Sequence, residues 1–356
     1  MMIEQQRYTV RFVTPAFLGD AEQNGAWRTP PFKALIRQWW RVVAAKDHRY
    51  DPALLRETEG RLFGNAWLDK NFSQSQIRLR LDNWKNGQLK QWPIPDSIIK
   101  HPEVKNKKTG SLQPIGAELY LGYGPLNFQQ GNTKLKANVA IQADECAELV
   151  VIFPKVAQIE KTLQLTDWFG TLGSRSRNGW GSLELSRGET IFEPLEAKNS
   201  LLQEITRPLP DCFTLDWPHA VGSDQNGLLA WKTKSPIKDW RAAMVELAKI
   251  KIAFRTALHF DPNRSHRIDQ RHVIAYPVTH HNFNPWGNQS RLANQLRFKV
   301  AKTTQGYIGV AYHLPCGIPN ELLNTLSTVD RAWIIGEQLC VWQKVHGILD
   351  QQMQRI

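Results

Sequence analysis

Nowhere in the chain do roughly 18 apolar residues run together, so no stretch reads as a membrane-spanning helix. Cysteine is scarce. The four residues Cys146, Cys212, Cys316 and Cys340 lie far apart and make no CxxC pair. That argues against a zinc module and for thiols kept reduced in a cytoplasm. The start, MMIEQQRYTVRF, lacks an apolar h-region and reads as carrying no secretory signal. The chain has no Gly-Lys dipeptide, and therefore no GxxxxGK(S/T) loop of a nucleotide hydrolase. Acidic residues are also short: 33 Asp+Glu face 45 Lys+Arg, a net charge of +12 over 356 residues. What is present suffices for a packed core, because 42% of residues are hydrophobic and 22% charged, which excludes the disordered class. The length suits about two domains.

A basic excess points to a polyanionic partner, with nucleic acid first, or else to a charge that only aids solubility. Its distribution separates the two. Residues 1–100 hold sixteen Lys+Arg against ten Asp+Glu, residues 251–300 hold eight against two, and the remainder balances. The second basic region also carries His259, His266, His272, His280 and His281, five of the ten histidines. A solubility charge would be spread out, whereas a binding surface is clustered.

In the first region Arg7–Thr14 alternates as a strand with Tyr8, Val10 and Phe12 on one face. A helix is expected to begin at Thr29, an N-cap followed by Pro30 and Pro31. Phe32, Leu35, Ile36, Trp39 and Val43 form its apolar face; Lys33, Arg37 and Arg41 form a basic stripe at i, i+4 and i+8, with Trp40 inside the stripe. An indole beside three cations can stack on a base while the cations meet phosphates; the bland reading is a solvated basic face with Trp40 packed on a neighbour. A helix is expected over Pro52–Gly64 and a strand over Gln76–Leu81. Residues 84–115, rich in Lys, Asn, Gly and Pro, read as a long insertion or protruding hairpin. Strands are expected at Glu118–Tyr123, Leu135–Gln142 and Ala147–Phe153, and a helix at Val156–Phe169.

Next comes Gly173-Ser174-Arg175-Ser176-Arg177-Asn178-Gly179-Trp180-Gly181, followed by a short strand, Ser182–Leu185. Three glycines permit positive φ and close backbone approach, and successive amides in such turns make anion nests. Two arginines alternating with serines suit a sugar–phosphate backbone, and nothing structural requires them there.

Glu193–Pro210 reads as a linker, with strands after it at Cys212–Trp217 and Leu228–Lys232. Pro236–His259 is expected as a helix, Leu296–Val300 and Tyr307–Tyr312 as a hairpin, and about Val329–Met353 as a closing helix. Between them Arg264, His266, Arg267, Arg271, His280, His281 and Arg291 suit phosphate contact, and Phe283 and Trp286 suit stacking on exposed bases. A metal site among these histidines is disfavoured, because the spacing fits no HExxH helix and the nearby arginines oppose a divalent cation. No cofactor is expected.

The run VTPAFLGDAEQNGAWRTPPFKALIRQWWR, with LGSRSRNGWGSLEL some 140 residues later, resembles the RAMP superfamily of CRISPR RNA-binding proteins and, more narrowly, the family of subunit one of the type III-B Cmr effector complex. The matching residues are Thr14-Pro15, Phe17-Leu18-Gly19, Arg28, Lys33, Arg37, Trp39-Trp40 and Arg41, and the arginine-bearing loop Gly173–Gly181; Ala34 stands where that family usually has glycine. The resemblance implies an α+β fold of tandem ferredoxin-like (RRM-like) domains, each an antiparallel sheet backed by helices, here divided as residues 1–195 and 196–356. It implies a non-catalytic subunit, among other effector subunits, at the 3′ end of the guide RNA and in contact with paired target RNA. The alternative it offers is a metal-independent endoribonuclease processing guide precursors, with histidines as general acid and base.

Overall fold

The computed structural model describes residues 2–356 except 67–71, 94–95, 107, 189, 193–194, 262, 264, 279–280 and 282. It is an α+β protein with several antiparallel sheets. Strand β1 (Ile3–Phe12) turns Gln6, Tyr8, Val10 and Phe12 inward, as its alternation requires. Helix α1 (Thr29–Ala44) follows, then α2 (Pro52–Phe63) and β2 (Arg78–Leu81). Arg28, not Thr29, is the cap residue of α1, and its side chain makes no cap hydrogen bond. The apolar face of α1 is wider than the spacing predicted, since Trp40 and Val42 are buried with the expected residues.

The expected insertion extends beyond 84–115 and is structured. It holds the hairpin β3 (Ile98–Lys105) and β4 (Leu112–Gly116), the short helix α3 (Ala117–Gly122), and a second hairpin, β5 (Leu126–Gln129) and β6 (Asn132–Leu135). The strand expected at 118–123 is thus mostly α3, because Asp96 and Ser97 engage Glu118 and favour a turn there. The strand expected at 135–142 reduces to single bridges at Ala140 and Ile141.

The main sheet resumes with β7 (Cys146–Pro154), helix α4 (Ile159–Phe169), β8 (Leu183–Arg187) and β9 (Thr190–Ile191). Its spatial order is β2-β7-β1-β8-β9, antiparallel throughout, with α1 and α4 side by side over one face.

The expected linker contains α5 (Ser200–Ile205), β10 (Thr206–Pro208) and the start of α6 (Leu209–Cys212). Turns, not a strand, follow over 213–217; Phe213 and Thr214 amides fold back onto Pro210 and Asp211 carbonyls. Strand β10 pairs with β11 (Val221–Asp224), which pairs with β12 (Gly227–Leu228). A second four-stranded sheet then builds from β13 (Ala230–Lys232), helix α7 (Trp240–Ala257), the short α8 (Gln270–Ile274), β14 (Leu296–Thr303), β15 (Gly306–His313), the short α9 (Asn320–Leu323), helix α10 (Thr328–Gln352) and β16 (Gln354–Arg355). Its order, β14-β15-β13-β16, is also antiparallel. Numbering the four principal strands of each half in chain order gives the same spatial sequence, second-third-first-fourth, in both.

The halves meet along a seam. Trp39 of α1 stacks on Phe169 (5.5 Å between centroids) and reaches Tyr312 of β15 (6.1 Å), whose hydroxyl donates to the Phe169 carbonyl at 2.7 Å. Beside it the buried Lys299 ammonium donates to the Leu183 carbonyl at 2.7 Å and to that of Asp167, while the Val300 amide donates to Ser182 Oγ at 2.9 Å. Among the described residues no helix is long and apolar enough to cross a membrane, and the four cysteines are free thiols.

Behind β15, His313 Nδ1 and His346 Nε2 of α10 share a hydrogen bond of 3.0 Å, and His313 lies 4.0 Å from the Trp342 ring. Burial holds His313 well below the usual histidine range, with His346 adding to it, and burial pushes His346 down to about 4. Groups that resist protonation only when folded make the unfolded chain bind more protons, so stability is lost as pH falls from about 6.5 towards 4. Denaturant titrations should give a lower midpoint at pH 5 than at pH 7, and His346→Gln should shrink that difference; equal midpoints in the wild type would contradict the assignment.

Candidate nucleic-acid interface

The glycine loop leaves α4 and enters β8, and its shape depends on left-handed backbone. Gly173 and Gly181 have φ of +100° and +63°. A Cβ at Gly181 would lie 1.9 Å from the Leu172 carbonyl oxygen, and one at Gly173 2.7 Å from that of Phe17. The Thr14–Leu18 segment is the platform for this loop. Thr14 Oγ1 donates to the Gly179 carbonyl at 2.8 Å and accepts from the Ser182 amide at 3.0 Å, Ser174 N–H donates to Phe17 O, and Gly181 N–H donates to Pro15 O. The two motifs read separately in the sequence therefore form one unit.

This corrects the expected amide nest. The amides of Ser174, Ser176, Asn178, Gly179 and Gly181 are all engaged by protein carbonyls. Trp180 is fully buried against Phe17 and Trp92, so it packs the loop and cannot stack on a base. Ser174, Arg175 and Arg177 are the exposed members.

From there the cations lead into the second half. The Arg175 guanidinium lies against Gly124, next to Tyr123, which is 67% exposed. Asn178 donates to the Leu121 carbonyl at 2.7 Å and accepts from Lys251 Nζ of α7 at 2.7 Å. Lys251 also lies over the Tyr120 ring, 5.6 Å from its centroid, and the buried Tyr120 hydroxyl has no hydrogen-bond partner among the described residues. Arg255 stands one helical turn beyond Lys251. Burial first, then the like charges of Arg255 and Arg175, push Lys251 down to about 7. Among the described residues neither Arg175 nor Arg255 makes an ion pair or a side-chain hydrogen bond. Three cations from two distant segments converge, and among the described residues none of them is paired with a carboxylate, Glu103 near Arg255 being bonded to Arg271; the arrangement suits a phosphate.

The basic stripe of α1 is differently used. Arg37 and Arg41 both bond the buried Glu59 of α2, Arg41 at 2.7 and 2.8 Å. Lys33 donates to Ser75 Oγ at 2.7 Å, and Arg28 donates to the Gly19 carbonyl. Trp40 is 2% exposed, and its indole N–H donates to the Ala157 carbonyl at 3.0 Å. The stacking role expected of Trp40 is withdrawn: α2 covers this face and turns the stripe into an inter-helix clasp.

The second basic region divides likewise. His266, Arg267 and Arg291 are exposed, with Arg291 bonded to the Asn288 and Ser290 carbonyls; Arg264 and His280 lie outside the described residues. Arg271 is buried in a bidentate pair with Glu103 of β3, its guanidinium 4.9 Å from the Phe260 ring centroid. His281, Phe283 and Trp286 are buried around His272, so neither aromatic is placed to stack on a base and His281 is not on the surface. Burial, aided by His281, pushes His272 down to about 4, and its Nδ1 accepts from the Asp269 amide at the start of α8. Near neutral pH it therefore carries no proton to give as a general acid, and it is a weak base. Among the described residues no group of His, Cys, Asp and Glu is arranged to hold a metal ion.

Lys251, Arg255, Tyr120 and Tyr123 were not among the sequence candidates. Lys251 and Arg255 stand at i and i+4 inside the 251–300 basic block, which is the signal that could have found them. The loop yields a stability contrast. Gly181→Ala should cost about 2 kcal/mol or more through a left-handed φ and a backbone clash, whereas Arg175→Gln should stay within about 0.5 kcal/mol of wild type. Urea titration of both variants checks this, and a neutral Gly181→Ala would refute the loop geometry.

The family model for the RAMP superfamily matches residues 9–184. A search among curated proteins finds no match. Solved structures similar to the chain include the apo form of Cmr1 from Pyrococcus furiosus, at 14% identity and TM-score 0.40 over 95% of this chain and 97% of that one. A chain of the type III-B Cmr-beta complex bound to cognate target RNA aligns at 11% identity and TM-score 0.46, over 97% of this chain and 100% of that one. A chain of the complex with cognate target RNA and AMPPnP, in the presence of ssDNA, aligns at 11% identity and TM-score 0.43, over 96% and 98%.

Proposed function

Because the chain belongs to the RAMP superfamily over residues 9–184, we propose that it is a non-catalytic RNA-binding subunit of a type III-B CRISPR effector complex. In this reading it caps the 3′ end of the guide RNA and contacts the paired target RNA, beside other subunits and in the cytoplasm. Its two βαββαβ halves are tandem ferredoxin-like domains, residues 1–195 and 196–356, with the insertion reaching from the first towards the second. The narrower assignment is supported by the Thr14–Gly19 and Arg37–Arg41 motifs and the arginine-bearing glycine loop.

The observation that carries RNA binding is the convergence beside the glycine loop of Arg175, Lys251 and Arg255, none of which is paired with a carboxylate among the described residues. Cations there neutralise phosphates, and the exposed Tyr123 offers a face on which a base can stack. Such contacts read backbone and shape, leaving sequence to guide–target pairing. Arg177, His266, Arg267 and Arg291 are exposed and are further candidates for phosphate contact.

Labelled single-stranded RNA tests this. Each phosphate neutralised adds about −0.7 to the log–log salt slope, so affinity should fall as salt rises. Arg175→Glu with Arg177→Glu should weaken binding at least tenfold with the melting temperature unchanged. Unchanged affinity would make the loop structural only. Metal-independent cleavage lost in His266→Ala would replace the proposal with guide processing. Native mass spectrometry of the complex from its host should find the chain with other effector subunits and RNA.

A further inference from the structure

Resting on the RNA-binding reading, we infer that Lys251, Arg255 and Arg175 form a seat for one phosphodiester group of the bound RNA, and that filling the seat takes up a proton. Every element around Lys251 bears on this. Arg255 lies on its own helix α7. The glycine loop supplies Arg175 and the neutral amide of Asn178, which accepts a hydrogen bond from the ammonium. Helix α3 supplies Tyr120, whose hydroxyl is buried without a partner among the described residues. Beyond Arg255, β3 contributes His101 and Glu103, and Glu103 is committed to Arg271 of α8.

The free protein therefore holds three positive groups close together, and the carboxylate that reaches Arg255, Glu103, is already bonded to Arg271. A phosphate is the group the seat lacks: it has negative charge for the cations and oxygens to accept from Arg175, Arg255 and the Tyr120 hydroxyl. Burial first, and then the like charges of Arg255 and Arg175, push Lys251 down to about 7, so its proton is held loosely near neutral pH. An arriving phosphate reverses that balance, so a proton is bound with the RNA.

The sign follows from linkage. If only the charged amine grips the phosphate, affinity is full at pH 6 and falls about tenfold by pH 8. Fluorescence anisotropy with a labelled single-stranded RNA at pH 6, 7 and 8 reads this directly. Wild type should show the tenfold loss. Lys251→Arg, charged throughout, should flatten it while still binding. Lys251→Met should flatten it and bind at least fivefold more weakly at pH 6, with melting curves showing it folded. A slope that persists in Lys251→Arg would place the titrating group elsewhere and overturn the inference, as would undiminished affinity in Lys251→Met. Inorganic phosphate separates the source: displacement of RNA needing tens of millimolar fits a backbone seat, whereas displacement at micromolar levels would make free phosphate the ligand and overturn the RNA assignment. Wild-type protein that binds no RNA at any pH would instead overturn the proposed function itself.

Discussion

The Lys299 ammonium holds the seam on which the remainder depends. It comes from β14, is buried, and donates to the carbonyls of Asp167 near the end of α4 and Leu183 at the start of β8. Those two carbonyls bracket the glycine loop, so one side chain fixes both ends of the loop against the second sheet. Burial lowers this lysine to about 8 even though Asp167 and Glu184 pull the other way. Trp39, Phe169 and Tyr312 close the apolar side of the same seam. Arg175 and Lys251 lie 76 positions apart in sequence and share one seat because this joint sets the halves in register.

Charge in the sequence is not charge on the surface. The 251–300 block is strongly basic, yet Arg271, Arg297 and Lys299 are buried. The stripe of α1 is likewise spent on Glu59, whose two oxygens hold Arg37 and Arg41. A buried carboxylate shared by two arginines is an inter-helix clamp, and removing it would strand two cations. Much of the basic excess is thus structural, and the part left for a ligand is the smaller set around the glycine loop.

Periodicity made β1, α1, α7, the β14–β15 hairpin and α10 legible, because each is long enough to repeat its pattern and buries one face. Helix α3 was not, since six residues give too little repeat and its start is set by Asp96 and Ser97 contacts to Glu118. Trp40 misled because the stripe around it looks solvated until α2 is laid over it. Phe283 and Trp286 misled for a related reason: they sit in a polar loop that folds around His272. In the site, Arg175 could be read directly from between its glycines. Lys251 and Arg255 left only their i, i+4 spacing in the basic block as a signal, one that an ordinary amphipathic helix also gives, and their partners come from another half of the chain.

Arg175 has φ of 57° in a loop whose other left-handed positions, Gly173, Gly179 and Gly181, are glycine. A side chain there costs about 1 kcal/mol or more that glycine would not. The residue that would relax the backbone is the one that would remove the guanidinium beside Gly124. Folding and the proposed RNA contact therefore favour different residues at this one position, and the arginine marks where the protein trades backbone ease for a fixed positive charge.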